Sequence, residues 1–179
     1  MTKENKNLKK NLEKIFIESN SSEQIFDAFQ LLLYNNLEDM DIIRVFLGNP
    51  SLSIDEIVMY SEKLALTFTN QAYEIFLWTG YVFESKFGCA DYSLNYYIKA
   101  SKKSPKEFAP FVSAINLYNF EYPLPANKNI IKMVEEGAAC VKKRSKVYSE
   151  FAKLHQKLGD RELNLKYTEL AERSALTED

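Results

Sequence analysis

The chain has 179 residues, of which 46% are hydrophobic and 27% are charged, as in ordinary soluble globular proteins. Only five glycines and five prolines interrupt it, which are too few for the frequent turns of an all-β sandwich or barrel. The net charge of −2 and a pI near 5.6 disfavour nucleic acid as the main partner.

The N-terminal segment gives no targeting signal. Met1 to Lys14 is charged and polar, without the apolar stretch of a signal peptide. No run approaches the roughly 20 apolar residues that a membrane-spanning helix needs. The two cysteines, Cys89 and Cys140, do not form a disulfide framework. These observations predict a cytoplasmic protein that does not enter a membrane.

Two capping-box patterns occur in the first part of the chain. Ser21 is followed three residues later by Gln24, and Ser53 is followed in the same way by Glu56. In such a box the serine and the longer side chain each bind a free amide at the start of a helix. Apolar residues with helical spacing follow both patterns, so each predicts the beginning of an amphipathic helix.

Further helix starts are predicted in the second part. Ser104 precedes Pro105 and, three residues on, Glu107, so that the proline would occupy the first helical position, where its missing N–H costs nothing. Asp91 and Asn127 are candidate N-caps.

Apolar residues recur at three- and four-residue spacing between these starts, for example at Val147, Phe151 and Leu154. Glycine and proline interrupt the apolar stripes, and no segment alternates as a strand would. The pattern predicts about ten helices, at 5–18, 22–36, 39–48, 54–69, 71–87, 91–103, 106–120, 128–142, 145–158 and 161–175.

The last predicted hairpin carries a repeat-like pattern. Its small residue Ala152 lets two helices approach closely, and Gly159 supplies a left-handed turn between them. The positions that make up the pattern are Tyr148, Phe151, Ala152, His155, Gly159, Asp160, Leu163, Tyr167 and Ala171. This pattern resembles a tetratricopeptide repeat.

An earlier segment resembles the same repeat. Gly88 and Gly159 are 71 residues apart, which is two periods of about 35 residues and close to the 34 of the family. The segment has a matching Gly80, although its distance to Gly88 is one residue longer than usual. Between the two segments, Ile115 replaces the small residue and the turn is extended over 119–126.

The resemblance implies an all-α fold: a right-handed array of antiparallel helical hairpins, or α-solenoid. The whole chain, 1–179, would be a single domain. Divergent helical pairs would form 1–70, and repeats would form 71–105, 106–142 and 145–178.

Members of this family bind extended peptides or partner helices in a concave groove lined by the first helix of each hairpin. The resemblance therefore implies a non-catalytic protein- or peptide-binding module, such as an adaptor, scaffold or chaperone. The corresponding groove residues here are Trp78, Tyr81, Val112, Asn116, Phe120, Lys146, Ser149, Lys153 and Lys157. The loop 119–126, rich in rings and proline, is an alternative contact surface.

Charge is unevenly distributed, which leaves a second functional class open. Residues 1–89 carry 8 basic and 13 acidic side chains, whereas 90–179 carry 15 basic and 12 acidic ones. A nucleic-acid-associated regulator using the basic half is the alternative. The two open ends of an array also leave homo-oligomerisation open.

Enzymatic chemistry has little support in the sequence. The single histidine, His155, lies on an apolar stripe that is predicted to face inward. A histidine-based metal site needs more ligands than one histidine can supply. No glycine-rich phosphate loop occurs. We therefore expect no catalytic residues, no metal and no cofactor, although a carboxylate-only enzyme of unidentified type stays an alternative.

Overall fold

Ten α-helices make up most of the part of the chain that the structure describes. The computed structural model describes residues 3–119 and 124–178, and no β-strand occurs within these ranges. The all-α class and the predicted number of helices are therefore confirmed, whereas their arrangement as a repeat array stays a prediction. No helix in the described ranges combines the length and apolar character needed to cross a lipid bilayer.

Eight of the predicted helices match the observed bounds to within two residues, when the π-helical turn is counted with the helix before it. The helix predicted at 106–120 is shorter at both ends in the structure, and the predicted helix 128–142 ends five residues too late. Short 3-10 segments lie at Thr69–Gln71 and Ala138–Cys140, and a π-helical turn lies at Phe83–Phe87. The α-helices are α1 (Lys3–Glu18), α2 (Ser22–Tyr34), α3 (Met40–Leu47), α4 (Ile54–Thr67), α5 (Ala72–Val82), α6 (Ala90–Lys103), α7 (Ala109–Asn116), α8 (Leu124–Gly137), α9 (Arg144–Lys157) and α10 (Arg161–Ala175).

Serine begins two helices, as predicted. At α4, Ser53 accepts the Glu56 amide at 3.3 Å while the Glu56 carboxylate accepts the Ser53 amide at 2.8 Å, which completes a capping box. At α2, Ser21 accepts the Gln24 amide at 3.4 Å. The Gln24 side chain accepts instead from the Ser19 hydroxyl, so this second box is half formed.

The predicted start of a helix near Ser104 is wrong. α7 begins at Ala109, and Ser104 instead ends α6 as its C-cap. Pro110 explains the difference, because a helix through Lys106 would need an N–H at this position to bind the Lys106 carbonyl. That carbonyl accepts the Lys142 amide at 2.9 Å, while Pro110 occupies the first turn of α7, where proline is tolerated.

The other two candidate caps are also wrong. Asp91 lies within the first turn of α6 rather than before it. α8 is described from Leu124 onward, so it includes the end of the predicted loop 119–126. Asn127 therefore lies in the helix, and its side chain donates to the Asn119 carbonyl at 2.7 Å.

The chain divides into two compact units, Met1–Val82 and Phe83–Asp179. The predicted repeat 71–105 includes residues of both units. The predicted single domain and repeat boundaries stay predictions, and each unit is described by itself below.

The core of the first unit is an aromatic cluster to which four helices each contribute one ring. The ring centroids lie 4.6 to 5.3 Å apart, at angles from 18° to 61°. Aromatic pairs of this kind add about 0.5–1.5 kcal/mol each beyond the burial of their surface. The rings are Phe16 of α1, Phe29 of α2, Phe46 of α3 and Tyr60 of α4.

Buried Asn49 connects the end of α1 to the turn after α3. Its side-chain amide donates to the Phe16 carbonyl at 2.7 Å and to the Ser19 carbonyl at 3.1 Å. Its side-chain oxygen accepts the Ser51 amide at 2.7 Å. The carbonyls at the end of a helix have no partner within it, and Asn49 satisfies two of them.

In the second unit, α9 and α10 pack together as a helical hairpin. Gly159 has a φ of 73°, which confirms the predicted left-handed turn. The Gly159 amide donates to the Gln156 carbonyl and the Asp160 amide donates to the His155 carbonyl, the two bonds of a Schellman motif. His155 is buried between the rings of Phe151 and Tyr167, as its apolar stripe predicted.

A π-helical turn, Phe83–Phe87, lies directly before Gly88. A π turn inserts one residue into an otherwise α-helical course. Here the Cys89 amide donates to the Phe83 carbonyl, six residues back, and Gly88 takes a positive φ of 62° between them.

Candidate functional site

An open cleft of about 460 Å³ lies among α7, α9 and α10 in the second unit. Its lining includes three pairs of residues, one from α7 together with its N-cap, one from α9 and one from α10. The members of each pair are four positions apart and therefore lie on one helix face. The pairs are Phe108 with Val112, Ser145 with Ser149, and Ala171 with Ala175. Four of these six side chains are serine or alanine, and their small size leaves the space that forms the cleft.

Charged side chains stand at the edges of this cleft. The Lys146 ammonium lies 4.7 Å from the centroid of the Phe108 ring, within the range of a cation–π contact. Glu150 pairs with Lys153 at 2.7 Å, and Glu172 is exposed on α10. The cleft thus has an apolar floor and a rim with charges of both signs, which is suited to a segment that presents small apolar side chains.

One end of the cleft is the N-terminus of α9, where the chain places a carboxylate. The Ser145 amide donates to Glu178 Oε1 at 2.8 Å, and the Ser145 hydroxyl donates to Glu178 Oε2. Lys143, the residue before the helix, provides no side-chain cap. Glu178 therefore satisfies an amide of the first turn that would otherwise lack a partner within the helix.

A smaller cleft of about 230 Å³ lies in the first unit, around Trp78. The Arg44 guanidinium lies 5.9 Å from the centroid of the Trp78 ring and 3.1 Å from the Glu74 carboxylate. The Trp78 indole N–H donates to the Arg44 carbonyl at 3.2 Å. The indole N–H of Trp78 and the guanidinium of Arg44 already interact with groups of the same unit. This cleft therefore has fewer polar groups with which to bind a partner.

The predicted groove residues separate into several locations. Val112, Lys146 and Ser149 line the larger cleft, and Trp78 and Tyr81 line the smaller one. Three more are exposed but line neither cleft: Asn116 on α7, and Lys153 and Lys157 on α9. Phe120 lies outside the described residues.

Sequence reasoning missed the contribution of α10 and of the tail that follows it. The resemblance assigned the groove to the first helix of each hairpin, and α10 is a second helix. The spacing of Ala171 and Ala175 was the available signal, because two alanines four residues apart leave a shallow place on a helix face. No sequence pattern indicated that Glu178 would contact Ser145.

We compared the chain with protein families, characterised proteins and solved structures. No family model, characterised protein or solved structure matches it. The site therefore has to be interpreted from its own chemistry.

Apolar, hydroxyl-bearing and charged side chains line the larger cleft. Its polar groups are two hydroxyls, one ammonium and two carboxylates, together with the exposed start of α9. Among the described residues, no three His, Cys, Asp or Glu side chains lie close enough to hold a metal ion. Hydrogen bonding, charge pairing and contact with small apolar side chains are the interactions that this arrangement can supply.

Proposed function

We propose that the chain binds an extended segment of another protein in the cleft among α7, α9 and α10, and so acts as an adaptor, scaffold or chaperone. The observation that carries the proposal is the set of small side chains on facing helices, which leaves an open cleft of about 460 Å³ with an apolar floor. Three of the residues that the sequence predicted for binding, Val112, Lys146 and Ser149, line this cleft.

The resemblance to a tetratricopeptide repeat supports the proposal on separate grounds. In that family the first helices of the hairpins line the groove, and α7 and α9 correspond to such helices. A right-handed array, a cytoplasmic location and homo-oligomerisation belong to the same proposal and stay predictions.

Filling the cleft tests the proposal. We expect Ser149→Trp to abolish or strongly weaken the binding of short peptides selected from a random phage-displayed library, because the indole would occupy the space above Ala171 and Ala175. The loss should be at least about tenfold in dissociation constant, or about 1.4 kcal/mol. Isothermal titration calorimetry with the selected peptides measures it.

The matched control adds the same side chain to the same helix outside the cleft. Gln156 is exposed on α9 and does not line the cleft, so Gln156→Trp should leave peptide affinity unchanged. Thermal unfolding of both variants checks that the added ring does not disrupt the hairpin. Equal peptide binding by the Ser149→Trp variant and the original chain would remove the cleft from the proposal.

A further inference from the structure

The residues after α10 return to the start of α9 and place a carboxylate there. Ser145 and Glu178 are 33 residues apart, and two hydrogen bonds join them. A carboxylate at a helix N-terminus gains from the free amides and from the positive end of the helix dipole. The contact is therefore favourable for any carboxylate that reaches this position, and Glu178 is the one that the chain itself supplies.

The same serine belongs to the cleft. Ser145 lines it together with Ser149 on the next turn of α9, so the proposed peptide site and the Glu178 carboxylate share one residue. Three exposed lysines, Lys142, Lys143 and Lys146, are close to Ser145 in the chain, while the carboxylates that line the cleft, Glu150 and Glu172, belong to its other edges. A partner segment that lies along the floor and carries an acidic side chain at this end would meet complementary charge.

We propose that the partner segment carries a Glu or Asp side chain that displaces Glu178 from Ser145, so that the C-terminal tail of the chain competes with its own partner. This inference rests on the proposed function and names the chemistry of the partner. While Glu178 occupies Ser145, the acidic group of the partner cannot bind there. The apparent affinity for the partner equals the intrinsic affinity multiplied by the fraction of molecules whose site is open. A tail that occupies the site in about nine molecules out of ten therefore lowers the apparent affinity about tenfold.

The test uses the full chain and its Glu178→Gln variant, in which the amide keeps the shape of the side chain but loses its charge. Random short peptides displayed on phage are selected against the Glu178→Gln variant and titrated calorimetrically against both proteins. We expect the selected peptides to share an acidic residue and to bind the variant about tenfold more tightly than the original chain. Replacing that acidic residue with its amide in the peptide should remove the gain.

Glu169→Gln is the matched control. Glu169 lies on α10, outside the cleft, where it pairs with Arg173 at 3.3 Å, and its neutralisation should leave peptide affinity unchanged. Thermal unfolding verifies that the Glu178→Gln variant keeps its fold. The peptide substitution tests the same contact without any change to the protein, so the outcome does not depend on that variant alone.

The possible failures can be told apart. One outcome would overturn the inference and leave the cleft as a binding site. In that outcome the selected peptides lose binding in the Ser149→Trp variant, but they have no acidic residue or bind equally to the original chain and the Glu178→Gln variant. If no selected peptide depended on Ser149, the proposed function would fail, and this inference would fail with it.

Discussion

The imidazole of His155 is buried in an aromatic environment that provides no hydrogen bonds. Only 5% of the residue is exposed, and neither ring nitrogen has a hydrogen-bond partner. Its ring stacks on Tyr167 with a centroid distance of 5.4 Å and meets the edge of Phe151 at 4.7 Å. Burying two unsatisfied polar atoms has a cost, and a histidine at this position is less stabilising than an apolar ring of the same size.

Burial lowers the pKa of His155 below its ordinary value. Asp160 and Glu135 act in the opposite direction and Lys166 adds to the lowering, but loss of solvation is the largest cause. The unfolded chain therefore binds a proton at a pH where the folded chain does not. The free energy of unfolding is therefore unaffected by this residue's titration above the ordinary histidine pKa. It decreases as the pH falls from the ordinary pKa towards the lower pKa of the folded state.

We expect His155→Phe to stabilise the protein by about 1 kcal/mol near neutral pH, since it removes both unsatisfied nitrogens and keeps the ring stack. The gain should increase between about pH 7 and pH 5, where the unfolded histidine takes up its proton. Urea unfolding of both proteins across this pH range measures the difference. A gain that does not change with pH would show that His155 is not the titrating group.

The packing of α7 against α8 depends on the absence of a side chain at Gly137. A Cβ atom there would lie 2.1 Å from Cε1 and 2.6 Å from Cζ of Phe111. Phe111 is 3% exposed, so its ring has little room to turn away. The two helices therefore approach each other at this point more closely than any other residue would allow.

Gly137→Ala should lower the free energy of unfolding by about 1–3 kcal/mol through overpacking, although alanine is the better helix former. Urea unfolding measures the effect. The double variant with Phe111→Leu provides the control, since the smaller side chain makes room for the methyl group and the two effects should not add. Simple additivity of the two substitutions would contradict the close contact.

Helix starts and ends were predictable where the signal is local. The Ser53–Glu56 box and the Gly159 turn depend on residues within a few positions of each other, and both are confirmed. The predicted start near Ser104 is wrong because Pro110 cannot donate to the Lys106 carbonyl, an effect that is also local. That the carbonyl then bonds to Lys142 is a contact between distant parts of the chain, which the sequence pattern did not contain.

Only the part of the candidate site that depends on local sequence pattern was predicted. Val112, Lys146 and Ser149 were found from the positions of repeat residues on α7 and α9. Phe108, Ser145, Ala171 and Glu178 were missed, because their role depends on how three helices and a tail come together. Periodicity identifies the face of a helix but not the side chains that will be opposite it.

Charge differs between the two compact units. Met1–Val82 has 7 basic and 12 acidic side chains, a net charge of −5, whereas Phe83–Asp179 has 16 basic and 13 acidic ones, a net charge of +3. The imbalance noted in the sequence therefore coincides with the division of the fold. The cleft among α7, α9 and α10 lies in the basic unit, and a net positive charge favours an acidic partner.

Hydrogen exchange of the full chain tests whether the units open separately. In the Gly137→Ala variant we expect faster amide exchange within Phe83–Asp179 and little change within Met1–Val82, because cooperative opening follows compact units. Asn49→Ala, which removes the bonds to Phe16 and Ser19, should have the opposite pattern. Faster exchange throughout the chain in either variant would indicate a single cooperative unit.

The position of Trp78 determines which part of the chain tryptophan fluorescence can follow. Trp78 is the only tryptophan in the sequence, and it lies in the first unit beside the Arg44 guanidinium. Its fluorescence emission therefore reports the local state of that unit. The second unit, Phe83–Asp179, contains no tryptophan, so fluorescence does not report changes within it directly. The Trp introduced by the Gln156→Trp control places a second fluorophore on α9, where it can follow the unfolding of the hairpin directly.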